Sequence, residues 1–162
     1  MAKKSLILIR HSYAENAGVN ISDVQRKLTG YGLEVLEKVK TELRFVPIPQ
    51  LCYLSPAKRT VETFESINKH WTLKNNRFLE NEHLYHGNAL DYLAIIENTP
   101  NDISSVAIVG HNPSVSYLAS KLNSGFAQGF LPGCVLILSA HIDHWANANQ
   151  TWEIEQFIQP AI

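Results

Sequence analysis

Long hydrophobic runs are missing from this sequence, and so are paired cysteine motifs and any marked excess of charge of one sign. The apolar stretch after Lys3 and Lys4 covers only Leu6-Ile7-Leu8-Ile9 before Arg10, too short for a signal-peptide core or a membrane span. Of the two cysteines, Cys52 lies within Leu51-Cys52-Tyr53-Leu54 and Cys134 opens Cys134-Val135-Leu136-Ile137-Leu138. Both read as small core hydrophobes, and no CxxC or metal-type spacing occurs. A formal net charge of -1 supplies no general field for nucleic acid or an anionic membrane, although seven histidines add positive charge at mildly acidic pH. The expectation is a soluble, cytosolic protein in which any anion site is local.

No repeat, low-complexity tract or linker interrupts the chain. With 162 residues and 45% hydrophobic content it fits one compact domain, residues 1–162, that needs neither disulfide nor metal to close its core. Strand and helix signals alternate, which predicts a three-layer α/β/α sandwich with a mostly parallel central sheet. Strand candidates are 5–10, 50–54, 77–79, 104–110, 133–139 and 151–158. The last two read as a hairpin, with Trp152, Ile154 and Gln156 alternating against Glu153, Glu155 and Phe157.

Four helices fall between these strands. Thr29 caps the first, whose apolar positions Leu33, Leu36, Val39 and Leu43 recur at helical spacing until Pro47 stops it. Pro56 takes a first-turn position in the second, which runs to about His70. Asn88 precedes the third, with Leu90, Leu93, Ala94 and Glu97 ahead of the Thr99-Pro100-Asn101-Asp102 turn. Asn112-Pro113 opens the fourth, which continues to about Leu122.

Three predicted strands end in residues suited to holding a phosphoryl group. The first ends in Arg10-His11, the second in Ser55-Pro56-Ala57-Lys58-Arg59, and the fourth in Gly110-His111-Asn112-Pro113. Arg59 falls in the first turn of the following helix, Gly110 allows close backbone approach, and Asn112 is placed to cap the next helix. In a parallel sheet these ends lie on one side, so two arginines and two histidines distant in sequence converge. Guanidinium forks bind phosphoryl oxygens bidentately at every working pH. Positive charge nearby lowers the pKa of an imidazole and keeps one histidine neutral and nucleophilic, while a second donates to the phosphoryl oxygens. Such a set needs no metal and no cofactor, because the arginines supply the positive charge.

The sequence resembles the histidine phosphatase superfamily, also called the phosphoglycerate mutase-like or RHG family. Arg10-His11 matches its signature dipeptide, Leu28-Thr29-x-x-Gly32 its LTxxG, and Ser55-Pro56-x-x-Arg59-x-x-Glu62-Thr63 its SPxxRxxQT. Gly110-His111-Asn112 matches its late GH, and the four segments stand in the family's order. The resemblance implies that His11 is the nucleophile of a phosphohistidine intermediate and that Arg10, Arg59 and His111 bind the phosphoryl group. Ser12 departs from the usual Gly of the family.

Glu82, in Glu80-Asn81-Glu82-His83-Leu84-Tyr85, resembles the place where mutase-like members carry a catalytic glutamate, and is equally well read as a solvated loop charge. Arg26, in Asp23-Val24-Gln25-Arg26-Lys27-Leu28-Thr29, resembles the arginine of the short SixA-type members, whose segment reads R-P-L-T. It is either an auxiliary phosphate ligand or a surface arginine tied to Asp23. His83 with His86, and His141 with His144, read as loop histidines rather than metal ligands, and His70 as a helix C-terminal charge.

Length separates the members. Residues 12–27 alone divide His11 from Leu28, which leaves little room for a lid over a small substrate. An open site suits a phosphoryl group on a protein surface, so the resemblance is strongest to SixA-like protein-histidine phosphatases, with a phosphohistidine-bearing protein as partner. A small-molecule phosphomonoesterase or mutase on the same scaffold, and a non-catalytic phosphate-binding module, are the competing readings.

Overall fold

In the computed structural model, which describes residues 2–160, six strands form a single sheet in the order β3-β2-β4-β1-β5-β6. The strands are β1 (Lys3–Arg10), β2 (Leu51–Leu54), β3 (Phe78–Glu80), β4 (Ser105–Gly110), β5 (Val135–His141) and β6 (Glu153–Ile158). Strands β3, β2, β4 and β1 are parallel, whereas β5 runs antiparallel to β1 and pairs with β6 as the expected hairpin. The sheet is therefore mostly parallel, with an antiparallel flank. The helices are α1 (Gly30–Leu43), α2 (Lys58–Trp71), α3 (His83–His86), α4 (Ala89–Glu97) and α5 (Ser114–Leu122).

Because successive strand residues point to opposite faces, β1 feeds two cores at once. Leu6 and Leu8 pack into a cluster with Tyr92, Leu93 and Ile96 of α4 and with Val115, Leu118 and Leu122 of α5. Ile7 and Ile9 pack on the other side with Val35, Leu36 and Val39 of α1 and with Phe64, Ile67 and Trp71 of α2. Each layer of helices thus covers one face of the sheet, the three-layer sandwich expected from the alternating signals. Among the described residues no helix is long and apolar enough to cross a membrane.

Several local expectations are met and others shift. Thr29 caps α1 by accepting from Gly32 N–H at 2.9 Å, and Asn88 caps α4 in a reciprocal capping box with Asp91. The buried stripe of α1 is Gly32, Val35, Leu36, Val39 and Leu43, and Leu33 faces water. In α4 the inner face is Tyr92, Leu93 and Ile96, with Leu90 outside. Helix α1 ends at Leu43, short of Pro47, in a tight turn where Phe45 N–H bonds to the Glu42 carbonyl. Helix α2 begins at Lys58 rather than Pro56, because Ala57 is still extended at ψ 140°. Helix α5 begins after Pro113. Asn112 serves it from one residue earlier, accepting from Ser116 N–H at 3.3 Å and from the Ser116 hydroxyl at 2.9 Å. The stretch from Glu80 to Tyr85, expected to be a loop, contains the start of the short helix α3.

Candidate active site

The in-register pairing of β1 with β4 sets Arg10 beside Gly110, and β4 with β2 sets Val109 beside Leu54. Beyond the strands the pattern continues: His11 N–H donates to Gly110 O and Ser55 N–H donates to Val109 O, each at 3.1 Å. The carboxyl ends of β1, β2 and β4 consequently deliver His11, Ser55 and His111 to one edge. The rings of His11 and His111 meet edge to face with centroids 5.2 Å apart. Arg59, from the first turn of α2, reaches the same place with its side chain almost wholly buried.

Around these groups lies an open cleft of about 670 Å³ lined by residues that include Arg10, His11, Arg26, Arg59, His111 and Asp23. Tyr13, Ala14, Tyr85, His86, Asn112 and Pro132 complete its wall. The sequence-derived set of Arg10, His11, Arg59 and His111 is thus brought together, and Arg26 joins it. Glu82 is not brought in. It precedes α3, is exposed, and does not line the cleft.

The orientation of His11 follows from one bond. Its Nδ1 lies 2.7 Å from the Ser12 carbonyl oxygen, which only accepts, so Nδ1 carries the ring proton and Nε2 is left with its lone pair. Burial pushes the His11 pKa down to about 4, and the positive charges of Arg59, Arg10 and Arg26 push the same way. His111 falls to about 3, again from burial first and then from neighbouring His11 and Arg59. Its Nε2 lies 2.8 Å from Ser55 Oγ, and its backbone N–H donates to Tyr92 Oη at 3.1 Å, so both ring and backbone are anchored.

Motif residues that make no chemistry hold the frame. Ser12 is fully buried and satisfied: its N–H donates to Thr63 Oγ1 at 3.1 Å and its hydroxyl donates to Gly32 O at 2.8 Å. Thr63 in turn donates to Arg59 O at 2.7 Å. Glu62 accepts from Leu28 N–H at 2.8 Å, tying the segment after β1 to α2. Gly32 is required by space, since a Cβ there would lie 2.3 Å from Tyr13 O. Arg10 donates from Nη1 to Phe130 O at 2.7 Å, the same carbonyl that accepts from Asn112 Nδ2, while its buried Nε has no partner among the described residues.

Asp23 does more than tether Arg26. It sits on a 3-10 turn (Asp23–Gln25) and its carboxylate meets Arg59 Nη2 at 3.0 Å, Arg26 Nη2 at 2.9 Å and the Tyr85 hydroxyl at 2.6 Å. The Tyr85 hydrogen bond, followed by those from Arg59 and Arg26, holds the Asp23 carboxyl far below the usual carboxylate range. The same bond raises the Tyr85 phenol. The Asp-x-x-Arg spacing was the visible signal for the Arg26 contact, and no local pattern signalled Arg59. Arg26 both lines the cleft and is tied to Asp23.

Of the histidines read as loop residues, His83 and His86 lie instead on the short helix α3, and His86 lines the cleft. His83 and His141 are exposed, and His144 Nδ1 is hydrogen-bonded to Asn101 Nδ2 at 2.9 Å. Among the described residues no group of three or more His, Cys, Asp or Glu is arranged to hold a metal ion. His70 lies in the last turn of α2, as a helix C-terminal charge should.

No family model matches the chain, and no curated protein does. Solved structures do. A protein from Nakamurella multipartitia assigned as a phosphohistidine phosphatase SixA superimposes with a TM-score of 0.86 at 23% identity, over 100% of this chain and 99% of that one. One from Agrobacterium tumefaciens with the same assignment gives 0.77 at 21% identity over 98% and 99%. The protein histidine phosphatase SixA complexed with tungstate gives 0.80 at 21% identity over 96% and 97%. Likeness at this identity and coverage establishes the fold, the phosphoglycerate mutase-like arrangement of sheet and helices.

Proposed function

We propose that this chain, built on the phosphoglycerate mutase-like fold, is a histidine phosphatase that accepts a phosphoryl group on His11 and passes it to water. The observation that carries the reading is the 2.7 Å contact of His11 Nδ1 with the Ser12 carbonyl, which leaves Nε2 as a free base among Arg10, Arg59 and His111. Depressed basicity keeps that nitrogen unprotonated at neutral pH, the state a nucleophile needs.

The chemistry runs in two displacements. Nε2 of His11 attacks phosphorus, the bond from phosphorus to the leaving atom breaks, and the leaving group departs with a proton taken from solvent. Water then attacks the phosphohistidine, the P–Nε2 bond breaks with the electron pair returning to Nε2, and inorganic phosphate forms as the water's proton passes to solvent. Arg59, Arg10 and His111 stabilise the charge on the peripheral oxygens in both steps, and Arg26 adds positive charge at the rim. No cofactor or metal enters this scheme.

The substrate we favour is a phosphohistidine on a protein. Open access to the cleft suits a bulky partner, and the proteins named as phosphohistidine phosphatases superimpose on nearly the whole chain. An imidazole leaves readily once protonated, so it depends less on a placed acid than an alkoxide does. That fits a cleft whose lining omits Glu82 and whose Asp23 is held ionised. The test is to offer a phosphohistidine-bearing phosphocarrier protein and, separately, small sugar phosphates. Faster turnover of the protein is expected, preference for sugar phosphates would reassign the enzyme to small phosphomonoesters, and binding without turnover would make it a phosphate-binding module.

A further inference from the structure

We propose that Asp23 is a built-in competitor for the phosphoryl site: its carboxylate occupies Arg59 and Arg26 when no oxyanion is bound and is displaced when one arrives. This rests on reading the cleft as a phosphoryl site, and it adds a group that tunes how tightly that site holds its anion.

Each nitrogen of the Arg59 guanidinium has a partner, which engages three of its five N–H donors. Nη1 donates to the Asp23 backbone carbonyl at 2.7 Å, Nη2 to Asp23 Oδ2 at 3.0 Å, and Nε faces His11 Nε2 at 3.4 Å. Arg26 is committed as well, with Nε donating to Asp23 Oδ1 at 3.0 Å and Nη1 to Glu15 O at 2.7 Å. A phosphoryl oxygen that takes the Arg59 Nη2 bond must replace Asp23 Oδ2 there, since both present anionic oxygens to the same planar donor. The Tyr85 hydroxyl, 2.6 Å from Asp23 Oδ2, is another donor that the carboxylate occupies.

The two ends of this ion pair differ in freedom. The Arg59 side chain is 6% exposed and the Asp23 side chain 50% exposed. An unpaired guanidinium at that depth is costly, so a counter-anion is needed whenever substrate is absent. Asp23, in contrast, sits on a turn with no buried residue and no side-chain cap. The base of its loop is fixed by the Ala14–Leu28 bridge and by Glu15 N–H donating to Lys27 O at 2.9 Å. The carboxylate can therefore swing into water while the arginines stay in place.

Competition of this kind lowers the intrinsic affinity for an oxyanion and speeds its release. Inorganic phosphate, the product, would be displaced as Asp23 returns to Arg59, which limits product inhibition. Because Asp23 stays ionised well into the acid range, the competition is not switched by pH near neutrality.

The experiment measures binding of inorganic phosphate and of tungstate by titration calorimetry to the wild-type protein, Asp23→Asn and Asp23→Ala. Both variants are expected to bind roughly tenfold more tightly, which corresponds to about 1.4 kcal/mol, and to show stronger product inhibition by phosphate. Unchanged or weaker binding in both would overturn the proposal and make Asp23 a residue that merely orients the arginines. Tighter binding by Asn with weaker binding by Ala would also overturn it, since a freed site should bind better whichever neutral side chain remains. If none of the three proteins binds either anion, the phosphoryl reading of the cleft itself fails.

Discussion

Arg59 Nε lies 3.4 Å from His11 Nε2, so the guanidinium expected to hold the phosphoryl group also faces the nitrogen expected to attack it. A fixed positive charge at that distance disfavours protonation of the imidazole and points a donor toward the oxygens of any group on its way to Nε2. Lysine keeps the charge but loses the planar fork. Arg59→Lys is expected to lower kcat/KM by roughly 10²–10³-fold, the range for removing one transition-state donor, measured with a phosphohistidine-bearing protein. Retention of more than half the wild-type activity would place phosphoryl binding elsewhere.

The histidines give a pH prediction with a definite sign. His11 and His111 have pKa values lowered to about 4 and about 3, against roughly 6.5 for an unfolded histidine. Between these values the unfolded chain binds more protons than the folded one, so stability is fully present above the unfolded value and is lost as pH falls toward the folded ones. Proton NMR titration is expected to show neither ring titrating between pH 8 and 5. His111→Gln should flatten the fall in stability from pH 6.5 to 4. A His11 midpoint near 6.5 would contradict the buried, cation-flanked setting.

Gly110 is a packing constraint next to the chemistry. A Cβ there would lie 2.6 Å from the Tyr92 hydroxyl, and Tyr92 is fully buried with that hydroxyl donating to Leu84 O at 2.5 Å. The ring has nowhere to move without shifting His111, whose N–H it receives. Gly110→Ala is expected to destabilise by about 1–3 kcal/mol, the usual range for overpacking, and to reduce kcat/KM as well. Urea unfolding at wild-type midpoint would show that the strand end yields more easily than this packing implies.

Glu82 supplies a contrast. It is exposed and outside the cleft lining, and its backbone carbonyl accepts from Tyr85 N–H at 2.9 Å and from His86 N–H at 3.1 Å. Glu82→Gln leaves that carbonyl in place and is expected to change turnover of a phosphohistidine protein by less than about twofold, within the range of a surface substitution. A hundredfold loss would instead identify it as the proton donor.

Much of this arrangement is legible in the sequence, for identifiable reasons. The run Leu6-Ile7-Leu8-Ile9 signals a strand buried on both faces, and its side chains do divide between two cores. Arg10-His11, Arg59 and Gly110-His111 follow from strand ends in a parallel sheet, because such a sheet aligns its carboxyl ends whatever the sequence separation. Periodicity mis-phased α1 and α4 because Leu33 and Leu90 are apolar yet face water, while Gly32 and Tyr92 take inner positions. Helix α3 is one turn long, too short for a period to register. The Asp23 contacts beyond Arg26 are not legible because Arg59 lies in α2 and Tyr85 in α3, pairings made by the fold and not by local spacing.

The central claim is that His11 carries the phosphoryl group. Rapid acid-free quenching of the wild-type protein during turnover of a phosphohistidine-bearing protein, followed by alkaline digestion and mass spectrometry, should find acid-labile phosphate on His11. His11→Ala should carry no such phosphate and should lose turnover. Full hydrolysis by His11→Ala, or turnover in the wild type with no phosphate ever trapped on His11, would contradict the account.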